Sequence, residues 1–211
     1  MAQYGNPTIM GNRPGQSMAN ASFNSDKDYA KNAVSGSRGE VKVMELLQEW
    51  CPNDSIIFPS VKIPGQGVEA DIDFCVIRGN RILLVDAKNY KGGVTYSSDT
   101  SDPEHRIIEN GVFGGKNMGQ SMTMAVNRLQ KILPGYVVDG LVLFAPLGEP
   151  SDVRNLVWPG GYRTYYGVEG RPIVQGYLAE ANGGHNAAVS ASCVMAALAC
   201  RNNPGGKYYL Q

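Results

Sequence analysis

Apolar and polar residues alternate most clearly in residues 69–93, EADIDFCVIRGNRILLVDAKNYKGG. Two strand-like runs, Ala70–Ile77 and Arg81–Lys88, lie on either side of Gly79-Asn80. Both residue types tolerate a positive φ, so this dipeptide is typical of a two-residue β-hairpin turn. The pattern therefore predicts an antiparallel hairpin, and the turn fixes which residues of its strands face each other.

The predicted hairpin carries acids where apolar residues would be expected. Its register sets Asp73 opposite Asp86 and Asp71 opposite Lys88. Residues that face each other directly have Cβ atoms about 4.5–5.5 Å apart. Because successive side chains point to opposite faces of a strand, three carboxylates and one lysine should share one sheet face.

A helix is predicted before this hairpin. Ser37–Glu40 matches a capping box, and the helix should run to about Trp50. Four residues of this segment follow the i, i+3, i+4, i+7 spacing of one helical face: Glu40, Val43, Met44 and Leu47. Glu40 has two interpretations, either a capping residue that bonds the backbone of Ser37 or an acid at the edge of the core that points toward the hairpin carboxylates.

Further elements complete an α/β pattern. They are a strand at Ile56–Ile63 with an edge or bulge at Pro59, a second hairpin from Val94–Ser97 and Arg106–Phe113, a helix over 117–133 and a buried strand at Tyr136–Ala145. In the helix over 117–133, the core-facing residues should be Met118, Met122, Ala125, Leu129 and Ile132. Gln120 falls on the other side with Met124 and Asn127, so spacing alone favours a solvated glutamine.

Both ends of the chain are harder to assign. Residues 1–34 are rich in Asn, Gly, Ser and Pro and are expected to form a flexible arm, although Tyr4, Ile9 and Met10 could anchor it on a partner. Residues 35–146 form the predicted core, and 147–211 form an extension packed on it. The tyrosines and arginines of this extension either stack on bases or build a small satellite core. A helix over 186–201 has small side chains that suit close packing against this chain or another subunit.

Composition excludes several classes of protein. The 211 residues include 19 basic and 19 acidic side chains, so any nucleic-acid surface must be local. The four cysteines have no CxxC spacing, which argues against a zinc site. No apolar run is long enough to span a bilayer, and the N-terminus lacks the apolar core of a signal peptide. We therefore expect a cytoplasmic protein, of a bacterium or of a phage-infected cell.

The clustered acids suggest chemistry as well as structure. Opposed like charges destabilise a sheet unless something compensates them, and two carboxylates at this spacing suit a hard divalent cation such as Mg²⁺. A lysine on the same face can orient or deprotonate a water, or neutralise charge that develops on a phosphate. The alternative is an exposed sheet face on which Asp71 and Lys88 form a surface ion pair of little energetic consequence.

Four motifs in this order resemble the PD-(D/E)XK nuclease superfamily, and more closely its NERD (nuclease-related) domain. They are Gly39-Glu40 on a helix, Ile72-Asp73 on a strand, Asp86-Ala87-Lys88-Asn89-Tyr90 with Gly92 on the next strand, and Gln120 at the start of a later helix. The resemblance covers roughly residues 35–146. The chain departs from the family pattern in having Asp86 where Glu is commoner, and in lacking a proline after Asn117.

The resemblance implies a restriction-endonuclease-like fold, with a mixed central sheet flanked by helices, and a deoxyribonuclease activity that depends on Mg²⁺ or Mn²⁺. Asp73 and Asp86 would bind the metal with the Ala87 carbonyl, Lys88 would prepare the attacking water, and Glu40 and Gln120 would assist. DNA would be the partner, and the arm or the C-terminal helix could support self-association or a protein contact. The alternative is an inactive nuclease-fold module that binds nucleic acid or protein.

Overall fold

The computed structural model describes residues 2–10, 27–63, 70–89, 94–96, 107–109, 112–113, 118–146, 164–182, 190, 192 and 194. For some of these, including Asp71 and Gln120, the description covers the backbone alone. No helix among the described residues is both long enough and apolar enough to cross a membrane.

A six-stranded mixed sheet forms the centre of the fold, in the order β1-β2-β3-β4-β8-β9. Its strands are β1 (Thr8–Ile9), β2 (Ile56–Ile63), β3 (Ala70–Arg78), β4 (Arg81–Lys88), β8 (Val137–Phe144) and β9 (Thr164–Tyr166). Strands β2, β3 and β4 are antiparallel, whereas β4, β8 and β9 run parallel. The helices are α1 (Lys27–Trp50), α2 (Met118–Ile132) and α3 (Arg171–Ala179). The predicted α/β class is confirmed, and the arrangement is compatible with a restriction-endonuclease-like domain.

The predicted hairpin is confirmed, with the predicted register from the turn as far as Phe74 and Val85. Strand β3 pairs with β4 from Arg78 and Arg81 at the turn to Phe74 and Val85. Gly79 has a φ of 52° and is the one central turn residue with positive φ, as in a type II′ turn, which favours glycine at its first central position. A side chain at Gly79 would also collide with the backbone oxygen of Asn182, 2.7 Å from the position of its Cβ.

The two faces of the sheet pack against different helices. One face is called the acid face below, because Asp86 continues the alternation of Ile82 and Leu84 on β4. This face carries Cys75, Ile77, Ile82 and Leu84, and it packs against α2 through Met122, Ala125, Val126 and Leu129. The opposite face carries Phe74, Val76, Leu83 and Val85 and packs against α1 and α3 through Val43, Met44, Leu47, Val174 and Leu178. Gly140 on β8 allows close approach of α2, since a Cβ there would lie 2.7 Å from Met122 Cγ.

Helix α1 begins earlier than predicted. The expected capping box at Ser37–Glu40 is wrong, because the helix already starts at Lys27 and Ser37 lies inside it. A capping serine must precede the first helical residue, whereas Ala30, Lys31 and Ala33 upstream are good helix formers. The hydrophobic face of the helix is as predicted, with Val43, Met44 and Leu47 buried.

The N-terminal residues are not simply a flexible arm. Thr8–Ile9 forms β1 and pairs in parallel with Ile56–Ile57 of β2. The amide of Thr8 donates to the carbonyl of Ser55 at 3.0 Å, and that of Met10 donates to the carbonyl of Ile57 at 3.0 Å. Ile9 packs against the cluster on the opposite face. This segment thus covers one edge of the sheet, while Tyr4 and Met10 remain exposed.

Part of the C-terminal extension belongs to the same sheet. Strand β9 pairs with β8, and the Gly170–Ile173 segment enters α3 after a 3-10 turn at Gly167–Gly170. Tyr177 on α3 donates its hydroxyl to the carbonyl oxygens of Val137 and Ile82, at 2.6 Å and 3.0 Å. Of the predicted helix over 186–201, residues 190, 192 and 194 are described and all are helical, with Ser190 and Val194 buried. Its other residues and most of the tyrosine- and arginine-rich segment lie outside the described residues.

A second sheet stands where a hairpin was expected. Strands β5 (Val94–Tyr96), β6 (Ile107–Glu109) and β7 (Val112–Phe113) are antiparallel in that order. The segment Arg106–Phe113 contains two strands, β6 and β7, which pair with each other. Asn-Gly is a strong turn signal, and the sequence predicts a turn at or near Glu109-Asn110-Gly111.

Candidate functional site

The candidate site lies where strands β3 and β4 stop pairing. Their ladder extends to Phe74 and Val85, and Asp73 and Asp86 are the next residues beyond it. On its other edge, β4 remains paired with the parallel strand β8 as far as Lys88 and Phe144. Asp86 and Lys88 are therefore held on a supported strand, while Asp73 opposite them is outside the ladder.

Asp73 replaces the missing ladder with a side-chain hydrogen bond. The amide of Ala87 donates to Asp73 Oδ2 at 2.6 Å. The carbonyl of Lys88 accepts a hydrogen bond from the amide of Ala145, the residue after β8. The backbone groups of Lys88 therefore point toward β8, and those of Ala87 point toward β3. The Ala87 carbonyl is consequently directed to the side of β4 on which Asp73 lies.

The carboxyl groups of Asp73 and Asp86 are close enough for the charge of Asp86 to affect the pKa of Asp73. Burial raises the pKa of Asp73 from 3.8 to about 8, and the negative charge of Asp86 and the hydrogen bond between the two carboxyls add to the rise. Lys88 and the Ala87 amide act in the other direction. Near neutral pH and without metal, the pair (the acidic pair below) therefore retains one proton.

Lys88 completes a compact group of charges. Its Nζ forms an ion pair with Asp86 Oδ1. The side chains of Lys88 and Asp86 are 26% and 16% exposed, so the group is only partly screened by water. The stability gained from a salt bridge in such a position depends on good geometry, because the cost of desolvating both charges offsets much of their attraction.

The acidic pair fits a hard divalent cation. Two carboxylates sharing one proton can exchange it for a metal, and the Ala87 carbonyl supplies a third oxygen on the same side. Mg²⁺ typically takes one or two protein carboxylates and keeps several waters. Among the described residues no group of three or more Asp, Glu, His or Cys side chains converges on a metal position, so the donor set would combine these oxygens with water.

Glu40 lies on a helix that packs against the opposite face. Its neighbours Val43, Met44 and Leu47 pack with Phe74, Val76 and Val85, not with the residues of the acid face. Glu40 is half-buried and takes part in a polar interaction. It can approach the acidic pair only around the end of β4, so its role as a ligand or assistant stays a prediction.

Gly39 shows how α1 reaches the end of β4. A Cβ at this position would lie 2.5 Å from Asn89 Cβ, which is closer than real side chains approach. Glycine at position 39 therefore allows the helix to contact the residue that follows Lys88. This contact explains why the residue before Glu40 is glycine. It also means that this part of α1 packs directly against Asn89, the residue after β4.

Two other predicted residues are described in backbone only. Gln120 lies in the first turn of α2, the helix on the acid face, and Met124 and Asn127 are exposed as expected. The predicted pairing of Asp71 with Lys88 is wrong, because the ladder between β3 and β4 ends at Phe74 and Val85.

Ser60 is a residue of the site that the sequence pattern did not predict. This residue of β2 stands opposite Asp73 in the register, between the pairs formed by Pro59 and Val61. It has a φ of 55°, in the left-handed region that non-glycine residues seldom adopt. The available signal was the break in alternation after Pro59, where apolar residues follow at 61 and 63 rather than 60 and 62.

One comparison with known proteins identifies the family of the chain. No curated protein and no solved structure matched the chain. The family model of the nuclease-related domain, NERD, matches residues 35–145, more than half of the chain. That range includes Gly39, both members of the acidic pair and Lys88, and the chain belongs to the NERD, or nuclease-related domain, family.

Proposed function

We propose that this protein is a metal-dependent nuclease that hydrolyses phosphodiester bonds of DNA. The observation that carries the proposal is the acidic pair, in which Asp73 accepts a hydrogen bond from the Ala87 amide and Asp86 forms an ion pair with Lys88 at a partly buried strand end. A protein that needed these residues only for folding would gain little from two adjoining carboxyls, since opposed like charges destabilise a sheet.

Asp73 and Asp86 would hold Mg²⁺ or Mn²⁺, with the Ala87 carbonyl as a further ligand. When bound, the metal would polarise a phosphate oxygen and increase the acidity of a water. Asp73 is fixed by the Ala87 amide and Asp86 by the supported strand β4. This preorganisation would keep two oxygen ligands aimed at one point, and the metal would displace the proton that they share.

Lys88 would prepare the attacking water. In the absence of metal its Nζ bonds Asp86, so a cation on Asp86 would compete with Lys88 for that carboxylate and free the amine to face water or phosphate. A neutral amine can accept a proton, and a charged one stabilises the growing negative charge of the phosphorane-like transition state. Glu40 and Gln120 remain proposed assistants.

DNA binding would rest on phosphate contacts. Arg38 is exposed and adjoins Gly39, which lies against Asn89 just beyond Lys88. Lys131 is also exposed but lies toward the other end of the sheet, because its neighbour Gln130 accepts a hydrogen bond from the Val138 amide, opposite Ile82. Lys91 and Lys116 lie outside the described residues. Such contacts give affinity that falls with salt and carries little sequence preference.

Cleavage assays test the proposal directly. Supercoiled plasmid, linear duplex and single-stranded DNA are incubated with the protein in Mg²⁺, Mn²⁺ or EDTA. We expect cleavage in at least one metal and none in EDTA, and loss of cleavage in Asp73→Asn and Asp86→Asn. Absence of cleavage of every form in Mn²⁺ would favour the inactive binding module, and unchanged cleavage by both variants would place the chemistry elsewhere.

A further inference from the structure

Strands β2 and β3 both change phase at the position of Asp73. In β2, Ile56 and Phe58 pack on the acid face, but the next residues to do so are Val61 and Ile63. The step from 58 to 61 spans three residues, whereas regular alternation requires an even number.

The partner strand shows the same break. Cys75 and Ile77 of β3 pack on the acid face, and so does Ile72, three residues before Cys75. The register between the strands is unchanged across the break, since Pro59 faces Phe74 and Val61 faces Ile72. The break therefore falls on one opposed pair, Ser60 and Asp73, which is missing from an otherwise continuous ladder.

The conformation of Ser60 accounts for the break. Its φ of 55° is the one positive value of a non-glycine residue in the described part of the chain. A left-handed residue reverses the direction in which the following side chains point, and it interrupts ladder pairing at its own position. Pro59 before it has no amide hydrogen, which already weakens pairing at this point.

This interruption has a direct effect on Asp73. Residue 73 has lost ladder partners on both sides, since β2 does not pair with it at Ser60 and β4 does not pair with it at Asp86. Its carboxyl takes the Ala87 amide instead and meets the carboxyl of Asp86. Backbone strain of this kind is often concentrated at functional sites.

We infer that Ser60 is a positioning residue, whose left-handed backbone holds Asp73 out of the β2–β3 ladder and directs its carboxylate to Ala87 and the metal. The part of this inference that concerns metal binding rests on the proposed function. It assigns the effect to the backbone of Ser60, because the side chain is exposed. Tolerance of the left-handed region, rather than retention of the hydroxyl, should then decide which substitutions are accepted.

Two substitutions separate these possibilities. Ser60→Gly removes the hydroxyl but favours the left-handed conformation. Ser60→Thr keeps the hydroxyl but adds a β-branch, for which this conformation is a marked outlier. Ser60→Asn provides a second tolerant variant, and thermal unfolding in EDTA checks that each protein is folded.

The first readout requires no metal. In ¹⁵N-labelled protein in EDTA, the Ala87 amide resonance reports its hydrogen bond to Asp73, with Asp73→Ala as the reference for its loss. We expect Ser60→Gly and Ser60→Asn to keep the wild-type resonance and Ser60→Thr to shift toward that of Asp73→Ala. A wild-type resonance in folded Ser60→Thr, or a shifted one in Ser60→Gly, would overturn the inference.

The second readout is Mn²⁺ affinity by isothermal titration calorimetry. Ser60→Gly should bind within about twofold of wild type, whereas Ser60→Thr should bind about 10–100-fold more weakly, as for other residues that orient metal ligands. Weaker binding by Ser60→Gly with wild-type affinity in Ser60→Thr would assign the effect to the hydroxyl and contradict the inference, and equal weakening in both variants would contradict it as well. If wild type binds no Mn²⁺ while the Ala87 resonances behave as expected, the proposed function fails and the positioning of Asp73 by Ser60 stands.

Discussion

The proton retained by the acidic pair should make stability depend on pH in a direction that is unusual for a carboxyl group. Burial and the charge of Asp86 raise the pKa of Asp73 from 3.8 to about 8 in the folded protein. Below pH 4 the folded and unfolded states both hold this proton. As the pH rises toward 8, the unfolded chain loses the proton and the folded chain keeps it, so the folded state is progressively destabilised.

The size of the effect follows from the number of protons. One proton held by the folded state alone gives a slope of at most about 1.4 kcal/mol per pH unit in the free energy of unfolding. Coupling to Asp86 and Lys88 spreads this change over a broader range. Between pH 5 and pH 8 in EDTA, we expect the unfolding free energy of wild type to fall by about 1–4 kcal/mol relative to Asp73→Asn.

Urea unfolding at pH 5, 6, 7 and 8 in EDTA measures this difference. Asp54→Asn serves as the matched control, because Asp54 also pairs with a basic residue, Arg78, but its side chain is 63% exposed. The control should run parallel to wild type. If Asp73→Asn also runs parallel to wild type over this range, Asp73 does not hold a proton at neutral pH and the electrostatic account of the site is wrong.

Three further predictions concern metal, helix packing and the C-terminal helix. Mg²⁺ or Mn²⁺ at 100 times its dissociation constant should stabilise wild type by about 2.7 kcal/mol, and thermal unfolding of Asp73→Ala should show no such shift; equal shifts would argue against Asp73 as a ligand. Gly39→Val should lower the unfolding free energy by about 1–3 kcal/mol, because its side chain would overlap Asn89. Urea unfolding measures this, with Val41→Ala as the control because Val41 is exposed on the same helix. Equal stability of the two variants would contradict the close packing at Gly39. Tyr177→Phe should lower the unfolding free energy by about 1 kcal/mol, because its hydrogen bonds to backbone carbonyls are lost, and it should leave cleavage unchanged. A variant as stable as wild type would mean that this hydroxyl does not anchor α3.

The sequence was sufficient where a local rule decides the structure. The Gly79-Asn80 turn determines the register of β3 and β4, and this register brings Asp73 and Asp86 to the same strand end. Hydrophobic spacing likewise identified the buried residues of α2, with Met122, Ala125 and Leu129 almost fully inaccessible.

Other features depend on contacts that a local pattern does not encode. The start of α1 was misread because Ser37 and Glu40 match a capping box, while the helix continues upstream of them. Pairing of Asp71 with Lys88 assumed that the ladder between β3 and β4 continues beyond Phe74 and Val85, where it stops. Parallel pairing of β9 with β8 joins residues more than 20 positions apart, and no turn signal specifies it.

Cleavage by Lys88→Ala tests the central claim most directly. The variant removes the one group proposed to prepare the water while leaving the acidic pair in place, and Lys42→Ala, which loses an exposed lysine paired with Glu45, is its control. In Mn²⁺ we expect Lys88→Ala to cleave DNA about 10²–10⁴-fold more slowly than wild type, with Mn²⁺ affinity by calorimetry retained and Lys42→Ala unchanged. Lys88→Arg should not restore the rate, because a guanidinium cannot accept a proton from water. Wild-type cleavage rates in Lys88→Ala would contradict the assignment of this site as the nuclease centre.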